Sequence, residues 1–245
     1  ALPVYQLGVS PVLASSVATV APTIADSNNA IINFTWTNPK YSNDSSTTRY
    51  ILEIDSTGKN FTNKNSKTVI GALNTALTGR ELNGMLLNLG FKLGISQSID
   101  VRLISSYNNN NERYTSNVLK IMATPFPDPA VLVSANAAVT VTLPNAALLS
   151  NTFSWTTAFK NYTGAVTYFL QYDSATKNFA NIKEIPVNSA FFTKALNQDT
   201  MNLTALNSGI PGGNTGKVEY RIKAVTALGA ISYSNTVSVT ITSYV

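Results

Sequence analysis

The 245-residue sequence contains no cysteine and no histidine. Their absence excludes disulfide bonds, metal sites built from thiolate or imidazole, and catalytic arrangements that need a histidine base. Charged residues make up only 12% of the chain, about half the usual share for a globular domain. The net charge is +5, but the basic residues are scattered and form no stripe of the kind that binds nucleic acid. We therefore expect no metal, no cofactor and no nucleic-acid partner.

Long apolar runs are also missing. No stretch reaches the roughly 18–20 apolar residues that a membrane helix needs. The polar positions are filled mainly by asparagine, serine and threonine, with 28 asparagines in the chain. An uncharged polar surface over a β-branched interior is typical of secreted or cell-surface β-proteins.

The sequence contains an internal duplication. The phrase KNFTN at 59–63 returns as KNFAN at 177–181, and the flanking sequences match at offsets of 118 or 119 residues. The recurring residues are Phe34, Trp36, Tyr50, Leu52 and Asp55 in the first copy and Phe153, Trp155, Tyr168, Leu170 and Asp173 in the second. The proline-rich joint TPFPDPA at 124–130 separates the copies. The sequence thus predicts two domains, 1–124 and 125–245, each near the common domain size.

Alternating apolar and polar residues recur through both copies, as in IINFTWT and VTYFLQYD. About seven short strands per copy, separated by Asn, Gly, Ser and Asp, favour tandem all-β sandwiches of the immunoglobulin or fibronectin III type. One segment differs. TGRELNGMLLNLG carries leucines at helical spacing, with Thr78 and Glu81 as a capping box, and predicts a short crossover helix. NQDTMNLTALNSG in the second copy has weaker helix formers and predicts only a turn or two.

Two kinds of aromatic residue are distinguished by their positions. Trp36 and Trp155 alternate with phenylalanine on a central strand, so we assign them to the core rather than to sugar stacking. Phe61 and Phe179 follow a turn and are predicted to anchor it. Loop aromatics are the better ligand candidates, since an exposed ring can stack on a sugar while amides bond its hydroxyls. These candidates are Tyr41, Tyr107, Phe159 and Tyr162.

The loops differ between the copies. The first copy has the amide-rich NPKYSNDSSTT and SYNNNNERY, and the second has the short TALGAIS in place of the latter. Because sandwich domains carry function on their loops, we expect any ligand contact to be concentrated on the first copy, near Tyr41 and Tyr107.

Carboxylates are sparse. Glu53 and Asp55 lie two residues apart on one predicted strand and could mimic an acid/base pair. The second copy has Gln171 and Asp173 there, so only the aspartate recurs, and an aspartate at the start of a turn commonly bonds the backbone. We predict no enzymatic activity, because no site assembles acid, base and electrophile.

Several ordered motifs resemble one family. FSWTTAFKNYTGAVTYFLQYDSATKNFAN, ELNGMLLNLGFKLG and YSNTVSVTITSYV are similar to the SusE-type domain of Bacteroidetes outer-membrane lipoproteins. The motifs occur across nearly the whole chain, so the chain is identified as two tandem SusE-type domains. The resemblance implies an immunoglobulin-like module on the cell surface or the periplasmic side of the outer membrane of a Gram-negative bacterium.

The resemblance also implies a function. Such modules belong to SusC/SusD-like glycan uptake systems, which makes a polysaccharide or oligosaccharide, including a starch-like one, the expected ligand and SusC/SusD-like proteins the expected partners. Contact with the membrane would be made only through a lipid-bearing cysteine upstream of Ala1. The alternative is a structural spacer that makes protein–protein contacts without binding glycan. A binder should bring two or three loop rings into one plane at a sandwich tip, whereas a spacer should leave them dispersed.

Overall fold

The computed structural model describes residues 6–245, which fold as two units. The first unit runs to Pro127 and includes Asn161–Thr163, and the second comprises Asp128–Lys160 and Gly164–Val245. No helix within 6–245 combines the length and the apolar character needed to cross a bilayer.

The first unit is a two-sheet sandwich with one helix. One sheet has the order β1-β3-β6, and the other has the order β2-β9-β7-β4-β5 with β8 paired to β7. All pairings are antiparallel except β2 with β9. The elements are β1 (Leu13–Ser15), β2 (Thr19–Val20), β3 (Ala30–Trp36), β4 (Thr48–Ser56), β5 (Asn65–Ile70), β6 (Asn74–Thr78), α1 (Gly79–Asn88), β7 (Gln97–Tyr107), β8 (Tyr114–Thr115) and β9 (Leu119–Ala123).

The second unit repeats this architecture element by element. Its sheets have the orders β10-β12-β15 and β11-β18-β16-β13-β14, with β17 paired to β16. The elements are β10 (Leu132–Ser134), β11 (Ala138–Thr140), β12 (Leu149–Trp155), β13 (Val166–Ser174), β14 (Lys183–Pro186), β15 (Thr193–Asn197), α2 (Gln198–Asn207), β16 (Thr215–Thr226), β17 (Ile231–Tyr233) and β18 (Val237–Thr242). The predicted fold class, two tandem β-sandwiches, is confirmed.

The two tryptophans occupy equivalent core positions. Trp36 and Trp155 are each 5% exposed, which confirms their assignment to the interior. The ring of Trp36 packs against Tyr50 at 5.2 Å between centroids, and that of Trp155 against Tyr168 at 6.1 Å. Each unit therefore contains one buried tryptophan at the same place in its core.

The repeated aspartate holds the repeated turn. One carboxylate oxygen of Asp55 accepts from the Ser56 N–H at 2.7 Å and the other accepts from the Asn63 N–H at 3.1 Å. Asp173 makes the same two bonds, at 2.7 and 2.8 Å. The prediction that this aspartate bonds the turn backbone is confirmed.

The phenylalanine of the turn is fixed from above by an arginine. Phe61 and Phe179 both have a positive φ, 59° and 58°, in the left-handed region that non-glycine residues rarely adopt. Each ring is buried, and a guanidinium carbon lies 4.1 Å above it, from Arg102 in the first unit and Arg221 in the second. Packing and the cation–π contact stabilise a backbone conformation that is unfavourable by itself.

The predicted first helix is confirmed, and the prediction for the second is wrong. In α1 the Thr78 hydroxyl accepts from the Glu81 N–H, and the Glu81 carboxylate accepts from the Thr78 N–H at 2.8 Å. The second helix was expected to span only a turn or two, but α2 is ten residues long, the same length as α1. Asn197 caps it by accepting from the Thr200 N–H, and burial against the sandwich offsets its weaker propensity.

The cap of α1 makes the first unit sensitive to acid. Burial raises the pKa of Glu81, but hydrogen bonds from Thr78 and Lys67 outweigh it and hold the pKa below its ordinary value of 4.5. The folded state therefore favours the carboxylate, and this stabilisation is complete above pH 4.5 and is lost as the pH falls through the lowered value.

This predicts a pH-dependent difference between the natural chain and Glu81→Gln. The difference in denaturation midpoint should be largest near neutral pH and should shrink towards pH 3. Tryptophan fluorescence in a Trp155→Phe background follows the first unit and measures it. A difference that stays constant between pH 7 and 3 would contradict the assignment.

Candidate functional site

The loops of the first unit that follow β3 and β7 meet at one end of the sandwich. The Asn108 N–H donates to the Thr47 carbonyl at 3.0 Å, and the Tyr107 hydroxyl donates to the Tyr41 carbonyl at 2.8 Å. The long, polar sequence of both loops places them outside the sheets, and these bonds join them. Tyr41 and Tyr107, which the sequence singled out, are therefore neighbours.

Tyr41 does not have the exposure that was expected of it. Its side chain is 1% exposed, and its hydroxyl shares a 2.7 Å hydrogen bond with Ser105 on β7. Burial raises the pKa of Tyr41, and the bond to Ser105 opposes that rise only in part. The expectation of an exposed ring is wrong here, because the loop folds back and inserts the ring beneath its neighbours.

Two further tyrosines cover that ring. Tyr114 stacks on Tyr41 at 5.3 Å with 16° between the planes, and Tyr107 meets it edge-on at 4.8 Å and 66°. Gly8 packs onto the same rings, since a Cβ there would lie 2.7 Å from Tyr114 and 2.9 Å from Tyr41. We call Tyr41, Tyr107 and Tyr114 the tyrosine cluster. Its two outer members remain partly exposed.

Amides surround the outer face of the tyrosine cluster. Residues 108–112 are exposed, and the Asn110 side chain accepts from the Arg49 guanidinium at 2.9 Å. The Asn108 side chain donates to the Ser46 carbonyl at 3.1 Å. We call this end of the sandwich, formed by the loops after β3 and β7, the tip of the first unit. It combines partly exposed phenol rings with surrounding amide and guanidinium groups.

The second unit lacks this arrangement. Phe159 is 1% exposed, so the expectation of an exposed ring is wrong for this residue as well. It adopts a φ of 50°, and its N–H donates to the Asp128 carbonyl at 2.8 Å, which turns the ring inward. Tyr162 lies in the short segment 161–163 that belongs to the first unit, and it is partly exposed. The opposing loop is a tight turn in which the Thr226 N–H donates to the Ala230 carbonyl.

Sequence reasoning missed the most exposed rings of the second unit. Phe191 is 62% exposed, with Phe192 and Tyr233 also exposed. It also missed Tyr114, the third member of the tyrosine cluster. The available signals were the double phenylalanine in the polar stretch NSAFFT and the tyrosine beside the closing SN motif.

The carboxylates that could have formed an acid/base pair are fully engaged. Glu53 and Asp55 are both buried. The Glu53 carboxylate accepts from Arg102 Nε at 2.7 Å and lies 3.0 Å from Lys64 Nζ, while Asp55 closes its turn. This arrangement fixes strands and a turn. Within 6–245 no three acidic side chains gather as metal ligands.

Among the solved structures that resemble the chain at low similarity are two that contain fibronectin-type domains. The FN1–FN3 domains of chicken CNTN1 share 13% identity with a TM-score of 0.29, over 95% of this chain and 66% of that one. The fibronectin(III)-like modules of Clostridium thermocellum CbhA share 13% identity with a TM-score of 0.29, over 96% of this chain and 94% of that one. Comparison with curated protein sequences finds no match.

The family comparison is more extensive. The model of the SusE outer membrane protein family matches residues 3–104 and again residues 116–223. The two adjacent matches are consistent with two tandem copies, and together they span well over half of the chain. The chain therefore belongs to the SusE outer membrane protein family.

Proposed function

We propose that this chain is part of a non-catalytic, lipid-anchored accessory protein of a SusC/SusD-like glycan uptake system, and that it binds or presents polysaccharide at the cell surface. The observation that carries this proposal is the family match, which covers both copies. SusE is an outer-membrane family of Bacteroidetes Sus systems and is of a non-catalytic type. The engaged state of Glu53 and Asp55 agrees with a role without chemistry.

The tip of the first unit is our proposed glycan contact. Tyr107 and Tyr114 are partly exposed, although their hydroxyls already bond Tyr41 and Glu112. The polar side chains of Asn108, Asn110 and Arg49 lie beside them. Sugars are held by this combination of apolar ring surface and directed hydrogen bonds. Tyr41 supports the surface from below, and Tyr162 is a separate, weaker candidate.

Replacing Tyr107 with alanine should weaken glycan binding roughly five- to tenfold, the loss expected for one aromatic contact of about 1 kcal/mol. Calorimetry of the full chain against oligosaccharides from starch, xylan and mannan would measure this. Phe191→Ala, which removes an exposed ring from the second unit, is the matched control and should leave affinity unchanged. Equal loss in both variants would contradict the assignment to the tip of the first unit.

A spacer function is the alternative, and one observation favours it. Of the four predicted ligand rings, Tyr41 and Phe159 are buried. Tyr41 and Tyr114 are parallel because one ring stacks on the other, so they do not form a shared flat surface for a sugar. If the full chain binds none of these glycans, the spacer is the better description.

A further inference from the structure

An open groove runs along one edge of the second unit, between β14 of one sheet and β15 of the other. Its volume is about 470 Å³, and Leu149, Ile185, Ala195, Lys194 and Thr200 are among the residues that line it. Both strands are the last in their sheets. The groove is therefore bounded by two strand edges.

The same place in the first unit is closed by a lysine. Lys67 on β5 donates to the Ala76 carbonyl on β6 at 2.8 Å and pairs with the Glu81 carboxylate at 2.9 Å. An added strand would need that carbonyl as an acceptor, so a lysine that already bonds it prevents another chain from pairing there. In the first unit this lysine occupies an outward-facing backbone acceptor.

The second unit lacks both members of that ion pair. The strand register places Ile185 where the first unit has Lys67, since they face the equivalent residues Leu170 and Leu52. Thr200 stands in place of Glu81 as the third residue after the helix cap. Isoleucine has no donor, so it cannot cap the backbone of β15.

The uncapped backbone groups face the open edge. The Trp155 N–H donates to the Phe192 carbonyl, which fixes the alternation of bonded and non-bonded pairs between β12 and β15. Thr152 and Ala195 then form a non-bonded pair, so the N–H and C=O of Ala195 point away from β12. The equivalent carbonyl in the first unit is the one that Lys67 caps.

Apolar surface and one charge accompany this edge. Leu149 is 66% exposed, and exposed Phe191 and Phe192 immediately precede β15. Lys194 is the one ionisable residue among the groove residues. In the described part of the chain its ammonium takes part in no salt bridge. A ligand that fits would supply backbone hydrogen bonds, apolar side chains and a carboxylate.

We propose that the outer edge of β15 binds an extended segment of another protein, which pairs with β15 as an added strand. Its apolar side chains contact Leu149 and Ile185, and an acidic side chain pairs with Lys194. Strand addition of this kind gains affinity from main-chain bonds and specificity from the side-chain contacts. A glycan fits less well, because no aromatic ring is among the groove residues. This protein-binding surface goes beyond the proposed glycan contact.

Fluorescence anisotropy with the full chain tests the proposal. The probes are labelled seven-residue peptides of alternating threonine and valine, with glutamate, glutamine or lysine at one position. The glutamate peptide should bind most tightly and the lysine peptide least. A glutamate peptide N-methylated at alternate amides, which cannot pair with a strand, should bind at least about tenfold more weakly.

The variant Ile185→Lys with Thr200→Glu reproduces the closed edge of the first unit and should also weaken the glutamate peptide at least about tenfold. Val133→Lys places a lysine on β10, the opposite edge of the same sheet, and should leave binding unchanged. If the double variant does not fold, Ala195→Pro removes the outward N–H without removing a hydrogen bond to β12, and it should reduce binding to a similar extent.

Five outcomes would overturn the proposal, four of them in the peptide experiments. Those four are the absence of binding by all peptides, equal binding of the N-methylated peptide, unaltered binding by the closed-edge variant, and competition by maltoheptaose, which would make the groove a glycan site. Dimerisation abolished by the closed-edge variant would also overturn it, because a second copy would then be the occupant. The two proposals are tested separately by measuring glycan affinity in both variants. Tyr107→Ala should weaken glycan binding, whereas the closed-edge variant should leave it unchanged.

Discussion

Replacing Arg102 with alanine should destabilise the first unit by about 3 kcal/mol, because it leaves a buried carboxylate without its main partner. The Glu53 side chain is 4% exposed and that of Arg102 is 26% exposed. Lys64 remains within 3.0 Å of Glu53, but its own exposure weakens its contribution. The ring of Phe61 also loses its contact with the guanidinium. That contact helps to stabilise the unfavourable backbone conformation of the turn.

The second unit shows what the same site looks like without the buried charge. Arg221 donates from Nε to the Gln171 amide oxygen at 2.8 Å, and Gln171 donates in turn to Glu184 at 2.8 Å. Combining Arg102→Ala with Glu53→Gln should therefore recover a large part of the loss, leaving about 1–2 kcal/mol for one hydrogen bond and one cation–π contact.

Chemical denaturation in a Trp155→Phe background measures both variants, since the remaining Trp36 lies in the first unit. The single and double variants differ only in whether a charge is buried without a partner. If Arg102→Ala and the double variant lose the same stability, the guanidinium acts through packing on Phe61 alone. The buried ion pair would then contribute no stability that depends on the charge of Glu53.

The features that sequence reasoning predicted correctly are those that depend on local pattern. Alternation assigned Trp36 and Trp155 to the core, and a turn signal after a strand assigned the role of Asp55. Duplication strengthened these assignments, because residues needed by the fold recur at fixed offsets. The fold class and the family follow from such patterns without knowledge of any long-range contact.

The burial of loop aromatics could not be predicted in the same way. Tyr41 and Phe159 lie in irregular segments that have no periodicity to show which way a side chain points. Their direction is set by bonds that join distant parts of the chain, from Tyr41 to Ser105 and from Phe159 to Asp128. The tyrosine cluster likewise requires three residues from separate segments to meet.

The open edge of the second unit could be recognised only from the strand register. Lys67 and Ile185 lie in poorly matching segments of the two copies, and only their pairing with Leu52 and Leu170 shows that they are equivalent. A comparison of the amino-acid compositions of the two copies would show only that one lysine has been replaced by an apolar residue. The structure shows that this charge caps a strand edge in one unit and that the edge is uncapped in the other.

The length of helix α2 was underestimated because the residues that pack against it lie elsewhere in the sequence. Ala205 occupies the position of Leu86 in α1, and both are fully buried. The facing strand compensates, with Tyr220 in β16 where β7 has Val101. The Tyr220 hydroxyl shares a 2.7 Å hydrogen bond with Thr204 of α2, and its ring lies 4.5 Å from that of Phe153. Tyr220 thus contacts α2 through Thr204, and we expect its ring to fill the space beside Ala205 that Leu86 fills in the first unit.

Replacing Tyr220 with valine, the residue of the first unit, should therefore destabilise the second unit by about 3 kcal/mol. The substitution leaves a cavity beside Ala205 and removes the partner of the Thr204 hydroxyl. Ala205→Leu alone should also destabilise, by about 1–3 kcal/mol, because the tyrosine leaves no room for the added atoms.

Combined, Tyr220→Val and Ala205→Leu restore the pairing of the first unit, so the double variant should be more stable than either single variant. Denaturation in a Trp36→Phe background follows Trp155 and measures all three. The coupling between the two substitutions should reach about 2 kcal/mol, as expected for residues that share one space. We attribute the remaining loss of stability to Thr204, which no longer has the Tyr220 hydroxyl as a partner and keeps only its bond to the Met201 carbonyl at 2.7 Å. Adding Thr204→Met, which introduces the residue found at this position of α1, should reduce this loss further. Additive losses from Tyr220→Val and Ala205→Leu would show that the two side chains do not compensate each other and that α2 is held by other contacts.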